Sequence, residues 1–340
     1  MESSGARRSR RARPGKRRSL WYGALAAVTV LGGTAAGTVY MKAQAHSGGR
    51  AVSSAASPSA SPSPSAAVPV SGEASVEPVA RPTVDHDELL ATAMESVDIP
   101  DGAEVSVAVL DTESGESAGY GDGAFDTASI VKVDILAALL LRAQDEGREL
   151  TAAEQSYASA MIENSDNAAA SELWRTIGRA EGLDAANERF GLTETEGGDG
   201  MLWGLTQTTA ADQLQLLRQV FVGEESELSE ASRTYLSGLM GQIAVGQRWG
   251  VSAAGDSDAW ALKNGWLPRT ATGLWVINSV GRVTVDGHGC LVAALSHGNV
   301  TQAKGISLVE ATAVAAVSVF AGEGAAGASA APSVSATAAS

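Results

Sequence analysis

The chain has 340 residues, 44% of them hydrophobic and 19% charged, with a formal net charge of −15. The charge is segregated: residues 1–18 hold eight Lys and Arg against one acid, and residues 19–340 carry 16 basic and 38 acidic side chains. An acidic body excludes nucleic-acid binding, which needs a basic face against phosphate, and a single cysteine, Cys290, excludes an internal disulfide.

Residues 1–18 read as a basic cytoplasmic tail, followed at 19–41 by the uncharged apolar run SLWYGALAAVTVLGGTAAGTVYM. That run is long enough to span a bilayer as a helix. Its basic flank should stay inside, so the chain beyond Lys42 is expected outside the cytoplasm on a single-pass anchor. The competing reading is a secretory signal cut after Ala43-Gln44-Ala45, which would release the protein. Residues 46–82 are Ala, Ser, Pro and Val and form an extended linker. Residues 323–340 are Gly, Ala and Ser and form a disordered tail. Residues 83–322, about 240 in all, are enough for one globular unit, expected to be a monomer.

A helix over 87–97 opens that unit. The alternating, β-branched stretch 103–110 predicts a strand, Asp111-Thr-Glu-Ser-Gly115 a turn, and 117–121 the return strand. Ser129 begins a helix running through Leu141, with Asp126 or Thr127 as candidate caps. Thr151-Ala-Ala-Glu154 is a capping box that opens the next helix. Helices over 168–177, 182–190, 210–221 and 230–243 follow, with Gly178 and Gly191 as stops. Strands return at 260–264, 274–280 and 290–296, Cys290 being a buried small side chain on the last of them. An amphipathic helix over 307–320 closes the unit. The fold class is α+β: one antiparallel sheet flanked by the N- and C-terminal helices, plus an all-helical region.

Three short motifs fall in order at the seam between sheet and helices, where clefts form. Ser129-Ile-Val-Lys132 puts a hydroxyl and an amine on one helix face, beside the free N–H groups of a helix start. Lys132 can act as a base only if burial or a neighbouring cation such as Lys263 lowers its pKa. Ser165-Asp166-Asn167 lies between two helices. It reads either as capping chemistry or as a proton-relay serine with an amide that binds substrate. Lys263-Asn264-Gly265 ends a strand just before Trp266. There a lysine would attract a carboxylate and a glycine would let a ligand approach the strand backbone. The N–H groups of Ser129 and Trp266 would form an oxyanion hole. His288 and His297 have no second ligand at metal spacing, so no metal or cofactor is expected. The Trp residues at 249, 260, 266 and 275 read as core, with Trp266 facing the cleft if Lys263 does.

Taken together, the motifs resemble the signature set of class A β-lactamases and penicillin-binding proteins. The resemblance runs from about 85 to 321 and includes the opening strand pair, Phe125 ahead of the serine, and the stretch MIENSDNAAASELW. It implies Ser129 as nucleophile, Lys132 as its base, Ser165 as relay, Asn167 on the substrate amide and Lys263 on the carboxylate. Three departures stand out. Asn264 replaces the family's Thr or Ser and would bind substrate through its amide. The span from Ser129 to Ser165 is short, so part of the helical region should be trimmed. The family's Glu-x-x-x-Asn pair is missing: Glu194 has the spacing of a deacylation base, but Gly198 stands four residues on.

The leading expectation is a membrane-anchored extracytoplasmic serine hydrolase acylated on Ser129 by a β-lactam or related amide. A cell-wall D-alanyl-D-alanine carboxypeptidase is the closest alternative. A non-catalytic cell-wall binding protein and an esterase with the same serine and lysine complete the set.

Overall fold

The computed structural model describes residues 84–256 and 258–320. The basic tail, the apolar run 19–41, the linker 46–82 and the tail 323–340 lie outside the described residues. Among the described residues, no helix is long and apolar enough to cross a membrane.

The described chain opens with α1 (His86–Met94), capped by the Asp85 side chain, which accepts from Glu88 N at 3.1 Å. It ends three residues earlier than expected. A hairpin follows: β1 (Glu104–Asp111) and β2 (Ser117–Tyr120). Every β1 residue after Glu104 is buried, so the strand is covered on both faces. Successive side chains point to opposite faces. Val105, Val107 and Val109 pack with the apolar residues of α1 and the closing helix, while Ala108 and Leu110 join the core of the helical region.

After β3 (Phe125–Asp126) and one 3₁₀ turn (Ala128–Ile130), the chain enters α2 (Val131–Asp145). Apolar on nearly all sides, α2 is buried on nearly all sides and forms the axis of the helical region. Around it lie α3 (Ala152–Glu163), α4 (Asn167–Ile177) and α5 (Ala180–Phe190). The expected capping box opens α3: Thr151 and Glu154 satisfy each other's backbone N–H groups. Only α3 separates α2 from α4, which accounts for the short span between Ser129 and Ser165. A loop then leads through β4 (Gln207–Thr208), paired with β3, into α6 (Ala210–Phe221) and α7 (Glu230–Met240).

The last three strands are longer than their apolar cores suggested. They are β5 (Ala261–Pro268), β6 (Trp275–Val285) and β7 (His288–Asn299). Asp286 and Gly287 join β6 to β7 with φ values of +50° and +86°. This two-residue turn with both residues left-handed lets the strands pair up to their ends. The sheet is antiparallel with order β2-β1-β7-β6-β5, so β5 is an outer strand. The closing helix α8 (Gln302–Ser318) begins five residues before its expected start, capped by Thr301. Gly305 lies inside it because a Cβ there would come 2.4 Å from Ile277 Cγ1. The glycine therefore permits close helix–sheet packing rather than breaking the helix. Cys290 is buried on β7, as expected.

Candidate active site

The three motifs meet at one point. Ser129 sits in the 3₁₀ turn that feeds α2, and Lys132 lies one turn later, wholly buried. Ser165 is in the α3–α4 turn and Asn167 begins α4. Lys263 reaches across from β5, also wholly buried. Two residues here hold left-handed backbone without being glycine: Ala128 at φ +48° and Ser165 at φ +56°. Such conformations cost of the order of 1–3 kcal/mol each and persist where the surroundings over-determine them.

Lys132 Nζ has four close partners. It lies 3.0 Å from Ser129 Oγ, 2.7 Å from Ser165 O, 2.9 Å from Ser165 Oγ and 2.8 Å from Asn167 Oδ1. The Trp203 ring centroid lies 5.0 Å away and roofs the amine. Burial lowers the Lys132 pKa to about 7, against a smaller opposing pull from Asp166. Lys263 Nζ donates to Ser165 Oγ at 3.1 Å and to Asn264 O at 3.1 Å. Its pKa is also lowered, first by burial and then by the positive charge of Lys132. Both capping and site chemistry are present in the Ser-Asp-Asn stretch. Asp166 caps α4 by accepting from Ala169 N at 2.7 Å, while Ser165 and Asn167 turn toward Lys132.

The turn before Ser129 is pinned to the sheet. Asn278 Nδ2 donates to Asp126 O at 2.9 Å and to Thr127 O at 3.0 Å, and Thr127 N donates to Thr206 O at 2.8 Å. Neither expected cap is used. The Asp126 side chain instead accepts from Gln207 Nε2 and pairs with Arg269 at 2.6 Å. Gly265 has a role different from the one expected. A Cβ there would lie 2.7 Å from Thr127 O and 2.8 Å from Ser129 N, so its bareness lets the serine turn itself sit against β5.

Two expected site residues are not in the cleft. Asn264 is wholly buried, and its Nδ2 donates to Gln247 O at 2.7 Å and Trp249 O at 2.9 Å. Strand alternation is the reason: Lys263 and Gly265 face the helical region, so Asn264 faces the opposite side of the sheet. Glu194 is exposed, and its backbone N–H donates to Asp212 Oδ2 at 2.8 Å. The loop beyond it folds back through a bridge between Glu196 and Gln207, so residues 201–205, not Glu194, reach the cleft. Gly198 stands four residues after Glu194 because a Cβ there would lie 2.2 Å from Leu202 O.

The cleft has a volume of about 540 Å³. Ser129 and Asn167 line it together with Trp203, which the sequence did not single out. Trp266 borders it, but its ring does not face the cleft as expected, because strand alternation puts it on the Asn264 side, against Trp249. Trp203 Nε1 donates to Ser171 Oγ at 3.2 Å, and Trp174 Nε1 anchors the same loop through Gly200 O at 2.8 Å. A tryptophan inside a glycine-rich loop, where core packing does not call for one, was the available signal. None of the described residues lining the cleft is Asp or Glu.

Beneath the site lies a buried polar group. Asp134 Oδ1 accepts from Gln213 Nε2 at 3.1 Å, and Gln213 Nε2 also donates to Thr208 Oγ1 at 3.1 Å. Thr195 Oγ1 contacts Thr208 Oγ1 at 2.8 Å and donates to Asp212 Oδ2 at 2.7 Å. Asp134 Oδ2 and Gln213 Oε1 are buried with no partner among the described residues. Burial raises the Asp134 pKa to about 7, Asp212 adding to it, while the Gln213 hydrogen bond opposes. His288 and His297 pair with Glu113 at 3.0 Å and Glu104 at 3.5 Å. Among the described residues no three His, Cys, Asp or Glu form a possible metal cluster.

Comparison with known proteins adds the following. A family model described as the β-lactamase enzyme family matches residues 155–320. The candidate lipoprotein LppW of Mycobacterium tuberculosis is 28% identical over 199 residues, covering 56% of this chain and 63% of LppW. The chain thus spans less than two thirds of LppW. Among solved structures, a PBP-A variant captured as its acyl-enzyme with penicillin G has a TM-score of 0.59 at 22% identity, over 68% of this chain and 96% of that one. A β-lactamase from Burkholderia vietnamiensis has a TM-score of 0.58 at 20% identity, over 71% and 98%. At these identities the structural likeness speaks for the fold.

Proposed function

We propose that this chain is a serine hydrolase of the β-lactamase and penicillin-binding superfamily that works through an acyl-enzyme on Ser129. One observation carries this reading: the four contacts of Lys132 Nζ. Ser165 O and Asn167 Oδ1 can only accept, so they require two N–H groups. A neutral amine has two, and its lone pair is then left for a hydroxyl proton. Ser129 is the hydroxyl in reach, which makes Lys132 its general base. The lowered Lys132 pKa supports the same assignment.

In this mechanism Ser129 Oγ attacks a carbonyl carbon and its proton passes to Lys132. Ser165, within reach of both lysines, relays that proton to the leaving group. Asn167 holds the substrate through Nδ2, its Oδ1 being occupied by Lys132. The N–H groups of Ser129 and Trp266 flank the developing oxyanion. With no carboxylate in the cleft wall, a β-lactam acyl-enzyme is long-lived, as in a penicillin-binding protein. The apolar run 19–41 would hold this domain outside the cytoplasm on the 46–82 linker.

The test is intact-mass spectrometry of the full chain after exposure to benzylpenicillin and, separately, to an alkyl fluorophosphonate, beside Ser129→Ala. A lasting adduct that is absent from the variant supports the assignment. Labelling of neither kind, or labelling that survives Ser129→Ala, refutes it.

A further inference from the structure

The wall beside Ser129 is apolar. Met201, Leu202, Trp203 and Leu205 form one side and Leu267 the other, while the Trp266 ring turns to Trp249 on the far face of the strand. Met201 and Leu202 are 36% and 55% exposed at the mouth. Apolar side chains left in water beside a reactive serine are the mark of a surface that an apolar ligand covers.

The wall also offers an anion little. Its one Lys or Arg among the described residues is Arg269, already paired with Asp126 at 2.6 Å. Asn264 donates both amide hydrogens to the backbone on the far side of the sheet. Lys263 is wholly buried and hydrogen-bonded to Ser165 and to its own strand. A substrate carboxylate would have to break one of these pairings.

We propose that this cleft takes neutral esters of apolar acyl chains in preference to anionic amides. The proposal rests on Ser129 being the nucleophile. In acylation the Ser129 Oγ–C bond forms and the ester C–O bond breaks. The serine proton travels through Lys132 and Ser165 to the departing alcohol. In deacylation water forms the new C–O bond, the Ser129 Oγ–C bond breaks, the water proton passes through Lys132 to Ser129 Oγ, and a carboxylic acid leaves. The released alcohol vacates the space beside Lys132, so water enters without a carboxylate to guide it. The leaving amine of a β-lactam stays tethered to its acyl group and blocks that space.

The experiment is steady-state hydrolysis by the full chain of p-nitrophenyl acetate, butyrate and octanoate, and of a diacetyl-lysyl-D-alanyl-D-alanine peptide, with the Ser129→Ala rate subtracted. A fully buried methylene is worth roughly a fourfold gain, so partial burial of the chain predicts roughly tenfold or more in kcat/KM from acetate to octanoate. Leu202→Glu, at an exposed position that tolerates a charge, should pull the octanoate-to-acetate ratio toward one. A flat chain-length profile, an unmoved ratio in Leu202→Glu, or preferred cleavage of the peptide overturns the proposal. Fluorophosphonate labelling of Ser129 separates the cases. A labelled serine with a flat profile sinks only the ester preference, and an unlabelled serine sinks the acyl-enzyme as well.

Discussion

Asp134 is the residue whose replacement tests the buried electrostatics most directly. It lies two positions beyond Lys132 on α2, is fully buried, and has one oxygen on Gln213 while the other has no partner. Gln213 Oε1 is also an acceptor without a donor. A proton on Asp134 supplies the missing donor, and an asparagine would supply an N–H instead. The folded pKa, raised to about 7 from 3.8, means that the native state holds this proton more tightly than the unfolded chain. The contribution of Asp134 to stability is therefore greatest below about pH 4, falls as pH rises toward 7, and levels off above. A shift of about three units corresponds to about 4 kcal/mol in full, of which about 3 kcal/mol falls between pH 5 and 8. Asp134→Asn has no such cost. Urea unfolding of the two proteins at pH 5 and 8 should show the variant gaining about that amount relative to the parent at the higher pH. An unchanged difference between the two pH values would mean that Asp134 is ionised in the fold and that the reasoning is wrong.

The Lys132 pKa of about 7 predicts that Ser129 acylation speeds up as pH rises through neutrality and then levels, because only the neutral amine accepts the proton; stopped-flow acylation across pH tests this, and Lys132→Met should cost roughly a hundred- to ten-thousand-fold. Lys263→Met removes the second amine at Ser165 Oγ and should slow acylation several-fold; an unchanged acylation rate would place Lys263 outside the proton path. Gly265→Ala pushes a methyl against Thr127 O and Ser129 N, and should cost roughly 1–3 kcal/mol in urea unfolding together with most acylation. Asp126→Asn keeps an acceptor for Gln207 but releases Arg269, and should raise benzylpenicillin acylation several-fold relative to neutral esters; equal effects on both would place Arg269 outside the substrate path.

What the sequence disclosed was what depends on local spacing. Ser129 and Lys132 share a face because three residues is nearly one helical turn, and Asp166 caps a helix wherever that helix lies. Strands were found where they alternate and underestimated where a two-residue turn, Asp286-Gly287, carries pairing to the strand ends. Facing was harder. Whether Lys263 or Asn264 points to the cleft depends on strand register, which no short motif encodes, and one step along a strand reverses it. Loop paths were harder still. Glu194 had the spacing of a deacylation base, but the loop doubles back after it, and Trp203 arrives over Lys132 instead. Asp134 went unnoticed because a helix of apolar residues conceals a buried acid that is stabilised only by partners nearly eighty residues away.

The two lysines explain why the three motifs must converge. Each places its amine within hydrogen-bonding distance of Ser165 Oγ, at 2.9 Å and 3.1 Å. Two ammonium groups that close, both out of water, repel strongly, so the pair holds one positive charge more readily than two. If that charge rests on Lys263, Lys132 is neutral and ready to take the Ser129 proton. Taking it creates the doubly charged state, which is the least favourable arrangement of the pair. The proton then has every reason to move on, and Ser165 is the hydroxyl that touches both amines. The resting site thus favours a base, and the loaded site favours an acid. Neither lysine alone produces that alternation, and neither does a motif on a single element: it requires α2, the α3–α4 turn and β5 to meet at one oxygen.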